Sequence, residues 1–209
     1  VSDELKADKE VVMAVVKENG EAFQFSSDEF KADKELVMVA LKDSYEALEH
    51  ASDELKADKE VAMAAVKLSA FALDYVSDDL KADKEFVISA VELVGWGLQY
   101  ASDDLKADKE VVMTAIKDMG SALQHASDDL KADKEVVMAA VKEDGDALQY
   151  AADDLRTDSE ILDAVDVDLL KKRGIIKKEK NEMELSENTT YRIAIVDNER
   201  LILNMVYAE

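Results

Sequence analysis

The sequence predicts an all-α solenoid of 25-residue two-helix repeats with a small C-terminal β-hairpin appendage. Three observations support this fold class. The phrase VSDELKADKE at Val1 returns every 25 residues without an insertion or a deletion. Apolar residues within each repeat follow helical spacing. After residue 174 the repeat stops, and two segments rich in β-branched residues follow.

The repeat divides the chain into units. Six complete units and a divergent seventh begin at Val1, Ser26, Ala51, Val76, Ala101, Ala126 and Ala151. Because the spacing never changes, each unit is expected to be one supersecondary element that stacks on its neighbours. We therefore predict a helical repeat solenoid over residues 1–174, with six full units and a divergent capping unit. Residues 175–209 are predicted to form a C-terminal extension with a β-hairpin.

The first helix of a unit has a clear start signal. In the sixth unit, Asp133 is placed to cap a helix over residues 134–141, because its carboxylate can accept the free N–H groups of the first turn. Glu135 favours the positive end of the same helix. Gly145 is expected to supply a left-handed residue that lets the chain turn.

A second helix is predicted from about Asp146 towards Leu155. The apolar residues of both helices fall on one face. They are Val136, Val137, Ala140 and Val141 in the first helix and Ala147, Leu148, Ala151 and Leu155 in the second. Helices this short are marginal alone, so stacking on neighbouring units must stabilise them.

The seventh unit is expected to cap the solenoid. Asp158 opens a longer helix whose apolar residues include Ile161 and Val165. Lys171 to Arg173 suit the negative end of that helix, and Gly174 follows as the stop signal.

The last part of the chain differs in charge and in pattern. Residues 1–170 hold 18 basic and 42 acidic side chains, whereas residues 171–209 hold 8 and 7. Residues 191–196 and 201–207 flank Asp197-Asn198-Glu199, which predicts a strand, a turn and a strand. A lone hairpin is seldom stable in water, so we expect it to lie on the last helices, to add a strand, or to dock on a partner.

The repeated phrase also carries a resemblance. The run ASDDLKADKEVVMAAVK followed by GxALQY resembles a helical-repeat family, domain of unknown function 4116, which occurs in algal and other protist proteins and in some bacterial secreted effectors. The resemblance covers Val1 to about Asp163. It implies a helical scaffold and a protist or algal source, and it implies no catalytic residues.

Composition excludes several classes of function. The chain has no Cys, so it has no disulfide, thiol nucleophile or Cys-ligated metal. A net charge of −23 argues against a nucleic-acid partner. Its apolar runs are far shorter than the roughly 20 residues that span a bilayer. We therefore predict a soluble protein without a transmembrane segment. Peripheral membrane association, the compartment (cytoplasm or an organelle such as a plastid) and the oligomeric state stay open.

The side chains that could carry chemistry have structural explanations. His50 and His125 occupy the position that holds Phe25 and Tyr75 in other units, which indicates packing. Acidic pairs such as Asp103-Asp104 recur in every unit, but the sequence has no calcium-binding loop, and Lys106 lies close enough to neutralise part of the charge. We predict a solvated acidic face, no metal site, no cofactor and no enzymatic activity.

One departure from the repeat suggests a binding surface. At the turn between the two helices most units are polar, as in Glu143-Asp144-Gly145-Asp146, whereas the third and fourth units are apolar. Equivalent positions stack side by side in a solenoid, so these residues are predicted to form one apolar ridge. This central ridge comprises Leu68, Phe71, Leu93, Val94 and Trp96, extended by Tyr45 and Met119. We expect this central ridge to be covered either by a partner protein or by a nearby segment of the same chain.

These features favour a non-catalytic scaffold or linker that mediates protein–protein interaction. The central ridge and the hairpin would be its two attachment points. The predicted hairpin contacts are Tyr191, Ile193, Ile195, Leu201, Leu203, Met205 and Tyr207. Two alternatives stay open: a peripheral structural subunit of a larger complex, including a photosynthetic membrane complex, and an acidic protein that binds calcium or a mineral surface.

Overall fold

The computed structural model describes the backbone of residues 8–172, 190–195 and 201–206 and the side chains of residues 8–165. Within residues 8–172 every regular element is helical, and the pattern of elements returns every 25 residues. This confirms the predicted all-α repeat architecture. The first residues of the first unit and the predicted stop at Gly174 lie outside the described residues.

The strands Thr190–Ile195 and Leu201–Val206 pair antiparallel, with Tyr191 opposite Met205 and Ile195 opposite Leu201. Their side chains and Tyr207 lie outside the described residues, so the predicted contacts of the hairpin remain predictions. The predicted boundary between the solenoid and the C-terminal extension, at residues 174 and 175, also lies outside the described residues and remains a prediction.

The second to sixth units each consist of three helical pieces. The long helices begin at the residue after the repeated aspartate and span Lys9–Glu18, Lys34–Ala40, Lys59–Leu68, Lys84–Leu93, Lys109–Asp118, Lys134–Glu143 and Ser159–Lys172. The 3₁₀ segments that follow them are Gly20–Phe25, Ala70–Asp74, Gly95–Tyr100, Gly120–His125 and Gly145–Tyr150, and the second unit has the α-turn Ala47–His50 instead. One-turn helices complete the array at Asp28–Lys31, Asp53–Lys56, Asp78–Lys81, Asp103–Lys106, Asp128–Lys131 and Asp153–Arg156.

The second half of each unit therefore differs from the continuous second helix that the sequence predicts. Between the 3₁₀ segment and the one-turn helix the chain is extended, with φ −68° and ψ 158° at Ala126 and φ −60° and ψ 158° at Ser127. The Ser127 N–H donates to the carbonyl of Lys106 in the preceding unit, at 2.9 Å. The same bond recurs as Ser52 to Lys31, Ser77 to Lys56, Ser102 to Lys81 and Ala152 to Lys131. The break in the helix thus redirects a backbone donor to the neighbouring unit, where it satisfies a carbonyl at a helix end.

The long helices are capped as predicted. One carboxylate oxygen of Asp133 accepts hydrogen bonds from the N–H groups of Glu135 and Val136, at 2.9 and 3.3 Å. Asp158 caps the last helix in the same way. These are the free N–H groups that a helix start leaves without an intrahelical partner, so the caps fix the first residue of each helix.

The second oxygen of the capping aspartate reaches the previous unit. Asp133 pairs with Lys109, 24 residues earlier, at 2.7 Å. We call this series the lysine–aspartate ladder; its rungs are Lys9–Asp33, Lys34–Asp58, Lys59–Asp83, Lys84–Asp108, Lys109–Asp133 and Lys134–Asp158, at 2.5 to 2.9 Å. The hydrogen bond from Lys109 holds the pKa of Asp133 below its ordinary value, although partial burial of the carboxyl opposes that shift. One carboxylate therefore both starts its own helix and ties that helix to the unit before it.

The core runs through the array without interruption. Val136, Val137, Ala140 and Val141 are fully buried, as are their counterparts Val111, Val112, Ala115 and Ile116. Over the residues predicted as the second helix, Ala147 and Ala151 are buried, whereas Leu148 and Leu155 are half-buried. Each 3₁₀ segment from the fourth unit onward contacts both its own long helix and the next one, so every unit completes the core of its neighbour.

The turn glycines act by close approach and not by a left-handed backbone. The residue before Gly145, Asp144, is extended at φ −146° and ψ 108°, and Gly145 itself begins a 3₁₀ segment. A Cβ added to Gly120 would lie 2.5 Å from the carbonyl oxygen of Ala140 and 2.8 Å from the backbone nitrogen of Asp144, both in the next unit. Where Tyr45 occupies this position, the long helix ends early at Ala40 and an α-turn replaces the 3₁₀ segment.

We expect Gly120→Ala to destabilise the array by only about 1 kcal/mol: the new methyl group meets backbone atoms of the next unit, but the third unit already has alanine at this position, Ala70, and forms the same long helix and a 3₁₀ segment. Gly97→Ala is the matched control. The other five full units have alanine at that position, and the nearest atom to the new methyl group is the mobile Cδ1 of Leu73. Urea unfolding followed by circular dichroism measures both variants. Equal losses would show that close approach at Gly120 is unimportant.

Candidate functional site

The candidate site lies where the long helices of the third and fourth units end. In the first and sixth units this turn is polar, because an acidic residue ends the helix and a polar residue caps the 3₁₀ segment. Asn19, for example, accepts a hydrogen bond from the N–H of Glu21 at 3.0 Å. In the third unit Ser69 keeps that capping bond, but in the fourth unit Val94 provides none.

Apolar side chains at this turn are exposed. Leu68 and Leu93, the last residues of two neighbouring long helices, are 44% and 48% exposed, and Phe71 is 56% exposed. Trp96 is half-buried. We call Leu68, Phe71, Leu93 and Trp96 the apolar patch. Among residues 8–165 the other large apolar side chains with comparable exposure are Val15 and Phe25, which both belong to the first unit.

Three aromatic rings meet at the apolar patch. The rings of Phe71 and Trp96 lie edge to face with centroids 4.9 Å apart, and the ring centroid of Tyr100 lies 5.9 Å from that of Trp96. Partial burial, and next the negative charge of Asp74, raise the pKa of the Tyr100 hydroxyl, so it stays protonated. Edge-to-face contacts hold Trp96 in a defined orientation while leaving part of its surface open to solvent.

The other members of the predicted central ridge are less accessible. Tyr45 is half-buried and packs against the core, because its unit has rearranged around it. Val94 and Met119 are also half-buried, and each precedes a 3₁₀ segment. The structure thus brings four of the predicted residues to one exposed surface across two units. The hairpin residues of the prediction lie outside the described side chains.

Residues that the sequence prediction did not include also belong to this surface. Tyr100 extends the aromatic group, and its position holds an aromatic ring or a histidine in every full unit. Glu92 precedes Leu93 and is exposed. The sequence could have drawn attention to Glu92, because it departs from the repeat. The other five full units have lysine at that position: Lys17, Lys42, Lys67, Lys117 and Lys142.

The histidines lie in packing positions. His125 is half-buried, and its pKa lies below the ordinary value because of this burial and the nearby charges of Lys106 and Lys131. His50 is half-buried in the α-turn of the second unit.

The acidic pairs lie at the opposite end of the long helices from the apolar patch. Asp103 is fully exposed and lies 3.9 Å from Lys106, one turn later in the same helix. Asp128 and Lys131 repeat this arrangement. Within the described part of the chain, no group of three or more His, Asp or Glu side chains is arranged to hold a metal ion. The acidic pairs are therefore solvated, with weak intrahelical ion pairs.

No helix in the described ranges is both long enough and apolar enough to cross a membrane.

Comparison with known families identifies the repeat. The family model described as Domain of unknown function (DUF4116) matches residues 1–31, 33–81, 83–131, 108–156 and 133–163. These segments cover most of the chain, and they overlap where successive units repeat one another. No curated protein and no solved structure matches the chain. The chain belongs to the DUF4116 family.

Proposed function

We propose that this DUF4116 repeat protein is a non-catalytic scaffold that binds another protein through the apolar patch. The hairpin serves as its second attachment point. The observation that carries the proposal is the concentration of exposed Leu68, Phe71 and Leu93 at one turn of two adjacent units. Large exposed apolar patches on soluble domains usually mark interaction surfaces.

The repeat itself supports the view that these side chains are not required for folding. The first and sixth units have charged residues at the positions of Leu68 and Phe71: Glu18 and Glu21, and Glu143 and Asp146. Those units form the same long helix and the same 3₁₀ segment as the fourth unit. The fold therefore accepts polar residues at this turn, and the apolar residues need an explanation outside the fold.

The aromatic geometry suits an anchor for a partner. Phe71 and Trp96 are held by one another, so little side-chain freedom is lost when a partner packs on them. Aromatic side chains also dominate the residues that contribute most to interfaces. A scaffold role needs no catalytic group.

Site-specific photo-crosslinking tests the proposal. A benzoylphenylalanine placed at residue 68 of the full chain, in its native cells, should give a discrete adduct with one partner. The same group at Phe25, which is 68% exposed two units away, is the control. The residue 68 adduct should disappear in the Phe71→Glu/Trp96→Ser background. An adduct that survives this double change, or identical adducts at both positions, would contradict the proposal.

A further inference from the structure

Carboxylates and lysines both border the apolar patch, in a chain whose net charge is −23. Glu92 replaces the lysine that the other five full units have at its position, and it lies next to Leu93. Asp74 is the last residue of the 3₁₀ segment of the third unit, and its negative charge helps to raise the pKa of Tyr100. The cations at the position equivalent to Glu92 in the two neighbouring units are Lys67 and Lys117. A third cation, Lys81, donates a hydrogen bond to the backbone carbonyl of Asp74 at 3.0 Å.

Acidic groups also border the patch from the units on either side. In the second unit Glu46 stands at the position that holds Phe71 in the third, whereas the carboxylate of Asp43 accepts a hydrogen bond from the N–H of Gly20 in the first unit, at 3.4 Å, and so faces away from the patch. In the fifth unit Asp118 stands at the position of Leu93, and its carboxylate accepts a hydrogen bond from the N–H of Gly95 at 2.8 Å. That bond fixes a negative charge beside Trp96. The patch is therefore an apolar centre beside the carboxylates of Glu92 and Asp118.

We propose that the apolar patch binds a short cationic amphipathic segment of a partner protein, an inference that rests on the proposed function. Apolar side chains of the segment pack on Leu68, Phe71 and Leu93. Its Arg or Lys side chains reach the face of Trp96 and the carboxylates of Glu92 and Asp74. A cation held between an aromatic face and a carboxylate is attracted by the π electrons of the ring and by the negative charge of the carboxylate.

Charge also argues against two other occupants. A second copy of this chain would bring a net charge of −23 and the same bordering carboxylates to the interface. An anionic lipid surface would be repelled in the same way. A cationic segment is attracted, and the apolar centre distinguishes this site from the acidic surface elsewhere on the array.

Trp96 is the single tryptophan of the chain, so its fluorescence reports on the patch directly. The probe is a synthetic Leu/Lys peptide of about 14 residues in helical amphipathic order, which is marginally helical alone and is stabilised when its apolar face is buried. A scrambled peptide of the same composition carries the same charge without an apolar face. We expect the amphipathic peptide to bind at least about tenfold more tightly, since burial of its apolar face adds to the charge attraction. It should shift the emission of Trp96, and the scrambled peptide should not.

Two charge reversals locate the site. Glu92→Lys restores the lysine of the other units, so the fold should tolerate it, and it should weaken binding of the amphipathic peptide by about fivefold or more. Asp103→Lys makes the same change in net charge at the opposite end of the long helices, at a fully exposed side chain, and should change affinity less than about twofold. Circular dichroism confirms that both variants are folded.

Several results would overturn the proposal. Equal binding of the scrambled peptide, or equal effects of Glu92→Lys and Asp103→Lys, would show charge attraction without a site. Emission of Trp96 that is already shifted to the blue and protected from acrylamide in the free full chain would show that the chain covers its own patch. A discrete crosslink at residue 68 together with a failed peptide test would contradict the cationic class of partner and leave the scaffold role intact.

Discussion

Replacing four aspartates of the lysine–aspartate ladder with alanine should destabilise the array by about 4 kcal/mol, because each substitution removes a helix cap that contributes about 1 kcal/mol. The four are Asp58, Asp83, Asp108 and Asp133, and each accepts hydrogen bonds from its own first helical turn while pairing with a lysine of the unit before it. Urea unfolding followed by circular dichroism measures the loss.

The chain contains its own matched control for this change. Asp53, Asp78, Asp103 and Asp128 lie one turn earlier in the same four units and are exposed. Replacing them with alanine alters the net charge by the same amount but removes no helix cap of a long helix. We expect this control to unfold at the same urea concentration as the wild type or at a higher one, because it reduces repulsion in a chain of net charge −23. Equal destabilisation of the two variants would contradict the ladder.

Asparagine at the same four ladder positions separates the cap from the ion pair, because an amide oxygen still caps a helix. The pKa of each ladder aspartate is lowered, chiefly by the hydrogen bond from its lysine. A carboxyl whose pKa is lower in the folded state stabilises the fold above its ordinary value of 3.8, and this stabilisation is lost as the pH falls through the lowered pKa. The asparagine variant should therefore lose less stability than the wild type on acidification below about pH 4. Identical acid titrations would show that the lysine pairs do not stabilise the fold.

Replacing Phe71 with Glu and Trp96 with Ser should abolish binding of the partner found by crosslinking. The two residues are the ones that the first and fifth units have at this position, Glu21 and Ser121. Removal of a buried aromatic anchor commonly costs an interface about 2 kcal/mol or more, so affinity should fall at least about 30-fold. Titration calorimetry with the identified partner measures it.

The same double variant should remain folded. Phe71 is more than half exposed, and its contact with Trp96 contributes about 1 kcal/mol to stability at most. Phe25→Ser, which removes an even more exposed ring from the first unit, is the control and should leave binding unchanged. A stability loss of several kcal/mol in the double variant would identify the apolar patch as internal packing. Unchanged affinity would remove it as the attachment site.

The sequence by itself determined the period, the number of units, the starts of the long helices and the buried residues of those helices. Caps and amphipathic faces depend on residues within about two turns of one another, so the chain specifies them locally. Asp133 and Val136 could be assigned from the sequence for this reason, and the structure agrees with both. The exposed apolar turn could be found because the repeat provides an internal reference for each position.

The tertiary structure decided everything that depends on how one unit lies against the next. The pairing of Lys109 with Asp133 joins side chains 24 residues apart, and no local rule places them together. Stacking also decided that Ser127 gives its N–H to Lys106, which divides the predicted second helix, and that Gly120 permits a close approach of the next unit without a left-handed turn. The contact of Phe71 with Trp96 has the same origin. Distances between units are set by the packing of whole helices, and a sequence pattern read one unit at a time does not contain them.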